Sequence, residues 1–128
     1  IGTTALWNLS EGGTWLLPRL VGMARAKEML LLGEKVTADD AAGWGLIHRS
    51  VDGAALDGAA ADLLARLAAG PTVAIGLAKQ AINYAQHVPL NQAMTQELFN
   101  LELSCRTSDF KEGLTAFREK RAPDFTGR

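Results

Sequence analysis

Apolar residues recur three and four positions apart along nearly the whole of this chain, and Gly and Pro punctuate the runs. That spacing matches the 3.6-residue period of an α-helix and not the alternation of a half-buried strand. It constrains the fold more than any other feature. The expectation is a mainly α chain of six or so helices.

The helices can be placed from their ends. Ser10 is a candidate N-cap, followed by Gly12, Gly13 and the apolar residues Trp15, Leu16, Leu17 and Leu20. Pro18 lies inside that run, so the helix must start late or bend there. A second helix is expected from about Met23 to Leu32, stopping at Gly33. Thr37 caps a short third helix, with Asp39 and Asp40 in the first turn, where the dipole favours acids. Further on, Leu56, Ala60, Leu63, Leu64 and Leu67 share one helix face. Gly70 and Pro71 separate it from a helix carrying Leu77, Ala78, Ala81, Ile82 and Ala85, which Pro89 breaks. Met94, Leu98, Leu101 and Cys105 form a stripe on the longest helix. Ser108 is expected to cap the last one, with Phe110, Leu114 and Phe117 stacked on its face. The tail from Ala122 to Arg128 should be extended.

One segment departs from this pattern. Residues 46–51, "LIHRSV", read as a short strand bounded by Gly45 and Gly53. No repeat, low-complexity tract or long linker is seen. A chain of 128 residues is long enough for one domain with its own core. It begins at Ile1 and not Met, so a processed, trimmed or fragmentary chain is expected.

Several function classes are disfavoured. A formal net charge of −1 lacks the excess of clustered Lys and Arg that nucleic-acid binding needs. No apolar run reaches bilayer length and no signal peptide is apparent, so no membrane role is expected. The single cysteine, Cys105, suits a reducing compartment such as the cytoplasm, and its place on an apolar stripe reads as a buried thiol. His48 and His87 are far apart and no Cys/His cluster exists, so no metal site is expected. His48 reads as an ordinary strand side chain and His87 as a helix-end residue. No serine sits in a G-x-S-x-G elbow, and no phosphate-binding glycine loop of known pattern is present.

The stretch "LSEGGTWLLPRLVG", residues 9–22, is more suggestive. Two glycines at a helix N-terminus let the backbone approach a ligand and point free N–H groups at it. Glu11 beside them could act as a general acid or base if buried. A plain capping turn with an acidic residue would read the same way.

Six elements in order resemble the crotonase superfamily, the enoyl-CoA hydratases and isomerases. They are Gly12-Gly13-Thr14; Leu17 to Gly22 with Ala26; Leu32-Gly33; Ala38 to Leu46; "GLAKQAIN"; and the closing run Glu112-Gly113, Ala116-Phe117, Glu119-Lys120-Arg121. The resemblance extends from about Ser10 to Arg128. The wording of "GGTWLLPRL" is most similar to the branch that isomerises acyl-CoAs in phenylacetate degradation.

This resemblance implies the C-terminal helical part of a crotonase (ClpP/crotonase-like) fold with one short strand. The N-terminal spiral of ββα units, which holds most of the CoA site and the oxyanion-hole donors, is not in the sequence. Residues 1–52 would be the end of the core, and residues 53–128 a helical trimerisation region. The hydratases' second glutamate falls at Gly2 or before residue 1, and neither alignment supplies it. The isomerase branch places its acid where Ser10 stands, and Glu11, one residue later, could substitute as the catalytic acid. Gly12 and Gly13 would border the acyl-CoA site. Lys120 could reach the phosphates of CoA as a flexible point charge, or be a solvated lysine at a helix end.

The implied function is an acyl-CoA hydratase or isomerase of the enoyl-CoA hydratase family, inactive as this fragment alone. No cofactor is expected, because CoA is part of the substrate. The implied partners are an acyl-CoA and further copies of the chain, as a trimer or hexamer. The alternative is a non-catalytic helical assembly module or pseudoenzyme.

Overall fold

The structure, a computed structural model, describes residues 12–128. These residues form seven α-helices: α1 (Gly13–Val21), α2 (Met23–Lys27), α3 (Ala38–Gly43), α4 (Leu56–Ala68), α5 (Thr72–Ala85), α6 (Leu90–Cys105) and α7 (Ser108–Glu119). A π-helical turn, Glu28–Leu32, continues α2, and a 3₁₀ turn, Gly53–Ala55, leads into α4. The chain divides into two compact units. The described residues up to Leu56 form one, and Asp57–Arg128 form the other.

In the first unit α1 packs against α2, and Val21, Ala26 and Ala41 are its buried apolar residues. Pro18 stands inside α1. Just past it, the Arg19 guanidinium donates to the Trp15 carbonyl at 2.8 Å and lies 3.8 Å from the centre of the Trp15 ring. Gly33 ends the second helical run in the left-handed conformation, as expected for a helix stop. Thr37 caps α3: its hydroxyl oxygen accepts from the Asp40 N–H at 3.1 Å and its O–H donates to the Asp40 carboxylate at 2.6 Å.

Residues 46–51 are not a strand, and the described residues contain none. A strand exists through its ladder partners. Here the N–H groups of Leu46 and Ile47 turn back onto the Ala41 carbonyl, at 2.9 and 3.3 Å. The segment is therefore a turn that closes α3 and then an irregular run.

In the second unit α5 packs along α6, and α6 meets α7. A polar bridge joins α5 and α6. Asn100, 6% exposed, donates from its side-chain amide to the Leu77 carbonyl at 3.0 Å. Gln96 in turn donates to the Asn100 side-chain oxygen at 3.0 Å. Pro89 does not merely break the preceding helix: it is the N-cap residue of α6.

Two expected apolar stripes face outward. On α6 the buried residues are Ala93 and Asn100, while Met94, Leu98 and Leu101 are exposed. Cys105 is half-buried. On α7 the buried residues are Asp109 and Ala116, while Phe110, Leu114 and Phe117 are exposed, Phe117 at 83%. In both helices the inward face lies one residue before the large apolar stripe, a rotation of about 100°. Leu56, Leu64 and Leu67 of α4 are exposed as well. No large side chain is fully buried among the described residues, so the self-contained core expected from chain length is not formed by them.

Candidate functional site

The G-G-T turn opens α1. Gly12 is the N-cap residue, with φ 77° and ψ 9°, in the left-handed region that a side chain disfavours. Its carbonyl accepts from the N–H groups of Trp15 and Leu16 at 3.0 and 2.9 Å, which starts the helix. Among the described residues no side chain caps this end. The first-turn N–H groups of such a helix are the donors a ligand can use. Ser10 and Glu11, expected as cap and candidate acid, lie outside the described residues; within them, glycine holds the cap position.

The second group of residues closes α7. Lys120 follows the helix with φ 55°, the one non-glycine residue at positive φ among those described. Its N–H reaches the Phe117 carbonyl at 3.3 Å, and the Arg121 N–H reaches the Ala116 carbonyl at 3.1 Å. These two bonds make a Schellman cap, a place usually taken by glycine. Lys120 is exposed, in keeping with either role expected for it.

Beyond the cap the tail runs back along α7, held by two carboxylates. Glu112 accepts two bonds from the Arg121 guanidinium, at 2.6 and 2.9 Å, and one from the Asp124 N–H at 2.8 Å. These bonds, the Arg121 pair first, hold the Glu112 carboxyl down at about 2. The same pairing, with a second ion pair to Glu119 at 2.7 Å, pushes the Arg121 guanidinium further up. Asp109 accepts from the N–H groups of Thr126 and Gly127 at 2.7 and 2.8 Å and is 2% exposed. At the same helix end the Ser108 hydroxyl and the Asp109 N–H both donate to the Arg128 carbonyl, at 2.6 and 3.0 Å. Ser108 is thus a tail anchor, and the capping role expected of it belongs to Thr107, whose hydroxyl accepts from the Phe110 N–H at 3.1 Å.

Sequence reasoning missed Asp109 and the Glu112–Arg121 pair as tail anchors. The available signal was an acid at each of two inward positions on α7, facing a tail with a nearby arginine.

Gly12 and Gly13 belong to the first compact unit and Lys120 to the second. The described residues hold no cluster of metal-ligating side chains. No single described helix is long and apolar enough to cross a membrane.

These features can be set beside known proteins. A family profile described as enoyl-CoA hydratase/isomerase matches residues 7–128. The 1,2-epoxyphenylacetyl-CoA isomerase of Escherichia coli K12 is 44% identical over 117 residues, which is 91% of this chain and 45% of that protein. The 2,3-dehydroadipyl-CoA hydratase of the same organism is 38% identical, with 91% and 46% covered. A crystal structure of an enoyl-CoA hydratase subunit from Geobacillus kaustophilus superimposes with a TM-score of 0.88 at 38% identity, covering 91% of this chain and 46% of that one. The chain thus spans somewhat less than half the length of the relatives it matches. The G-G-T helix start, the closing E-K-R corner and a helical fold that superimposes on a solved hydratase agree: this chain belongs to the enoyl-CoA hydratase/isomerase (crotonase) family and corresponds to the C-terminal helical part of its fold.

Proposed function

We propose that this chain serves an enzyme that hydrates or isomerises acyl-CoA thioesters, with CoA as part of the substrate. The observation that carries the reading is the family match over residues 7–128. The glycine-led helix start at Gly12 and Gly13 supports it. In this reading those glycines border the acyl-CoA and let backbone come close to it. Glu11 is the neighbouring carboxylate, and Lys120 meets the phosphates of CoA. Residues 53–128 form the assembly region of a trimer or hexamer working in the cytoplasm.

The chemistry requires an enolate to be stabilised at the thioester oxygen by preorganised donors, while carboxylates move a proton. The family's oxyanion-hole donors belong to the portion of the relatives that this chain does not span. The 128 residues alone are therefore expected to leave crotonyl-CoA unhydrated. The assay is loss of the enoyl thioester absorbance, and a rate above buffer would overturn this part of the proposal. The intact mass of the protein from its natural source decides the rest. About twice 13.6 kDa supports the enzyme; 13.6 kDa itself supports the second reading.

That second reading is a helical assembly module without turnover. The outward stripes of α6 and α7 favour it, because Met94, Leu98, Leu101 and Phe117 stay exposed on the described chain.

A further inference from the structure

Glu112 and Arg121 are nine residues apart and joined by a bidentate pair. Were α7 to continue through Arg121, the two Cα atoms would stand about 13 Å apart along the axis. Two side chains cannot easily close that distance with good geometry. The pair forms because the chain reverses at Lys120, whose left-handed backbone turns Arg121 back along the helix. The two events are linked: whatever stabilises the pair stabilises the left-handed Lys120. Glu112 adds a second tie on the far side of the reversal, through the Asp124 N–H at 2.8 Å.

The same arrangement sorts two adjacent cations. Arg121 is engaged by two carboxylates, Glu112 and Glu119. Among the described residues Lys120 has no ion-pair partner and is exposed. One cation is committed to the fold and its neighbour is left for an anion.

We infer that Glu112 is a positioning residue for Lys120: by clamping Arg121 and Asp124 it holds Lys120 in the left-handed conformation in which its ammonium meets the phosphates of coenzyme A. This rests on the reading of Lys120 as a CoA contact given above. Glu112 itself does not touch the ligand.

The test uses the protein at its natural length and in its natural assembly, CoA as the probe, and the variants Glu112→Gln and Lys120→Ala. Helix content by circular dichroism confirms that each variant is folded. Backbone couplings and carbon shifts at residue 120 read the left-handed conformation directly by NMR. Glu112→Gln is expected to lose that signature. If only a tenth to a third of molecules keep the competent conformation, CoA binding weakens by about three- to tenfold. The sign is diagnostic. Removing a negative charge beside an anion site should tighten binding by simple electrostatics, so weakening requires loss of positioning. Unchanged or tighter CoA binding in Glu112→Gln, or an intact signature at residue 120, overturns the inference. If Lys120→Ala does not weaken CoA binding, or the wild-type protein in its natural assembly binds no CoA, the Lys120 reading itself falls and takes the inference with it.

Discussion

The Asp109 carboxylate accepts a hydrogen bond from the Gly127 N–H at 2.8 Å, 18 residues along the chain, and in doing so ties the tail to the first turn of α7. The Thr126 N–H donates to the same carboxylate at 2.7 Å. A buried acceptor shared by two backbone donors is costly to delete, because the half-buried Gly127 N–H loses its partner and the tail loses its tie. Asp109→Ala is expected to destabilise the chain by about 1–3 kcal/mol, read from the urea unfolding midpoint at constant slope. Asp109→Asn keeps one acceptor oxygen and should lose less.

The second tie is pH-sensitive in a defined direction. Glu112 is held down from 4.5 to about 2 in the folded chain. A lowered folded value means that the unfolded state takes up its proton first as the medium is acidified. The contribution of Glu112 is thus complete above about pH 5 and is lost as pH falls from about 4.5 towards 2. Thermal melts between pH 6 and 2 should show a decline that is shallower in Glu112→Gln. Parallel profiles for the two proteins would count against the tie.

Lys120 sits where glycine is normally favoured. Relief of the left-handed backbone gains about 1–2 kcal/mol, and the added freedom of the unfolded chain removes about 0.4–1 kcal/mol. Lys120→Gly should therefore stabilise the chain, by up to about 1.6 kcal/mol, while weakening CoA binding. A lysine kept for its fit to the fold alone would give no such opposition between melting temperature and CoA titration.

The outward stripes make a further forecast. Phe117 is 83% exposed and Leu98 67% exposed. Replacing either by Ser should change the unfolding free energy of the dilute chain by no more than about 0.5 kcal/mol. A loss of several kcal/mol in the same denaturant titration would mean that these side chains are packed after all.

Legibility in the sequence was uneven for physical reasons. Helix existence could be read, and Thr37 and Gly33 were correctly placed at helix ends, because periodicity and capping are local. Which face of each helix points inward could not be read that way. The large side chains Met94, Leu98 and Phe117 fitted an inner face and a contact surface equally well, and it is Ala93, Asn100, Asp109 and Ala116 that occupy the inner faces. Inferring the inner face from the bulkiest apolar stripe assumes that the same chain covers that stripe, and here it does not. The strand expected at residues 46–51 failed in the same way, since strand pattern says nothing about whether a ladder partner is present. The Glu112–Arg121 pair and the Asp109 tie join residues 9 and 18 apart through a chain reversal, beyond the reach of helical periodicity. Gly12 and Gly13 drew attention as two glycines at a helix start, whereas Lys120 was suggested by family likeness alone.

The doubled-back tail also bears on the order in which the chain acquires structure. From Thr107 to Arg128 the bonds that define the α7 corner span at most 20 residues. Closing a loop of that size takes well under a microsecond to a few microseconds, and such local contacts cost little closure entropy. This corner can therefore assemble as a local kinetic unit of its own, over a span much like the 23 residues that separate Leu77 from Asn100 across α5 and α6. In a pulse-labelling hydrogen-exchange experiment the Thr126 and Gly127 amides would be protected as early as those of α5 and α6, although they lie near the end of the sequence, where fraying is the usual rule.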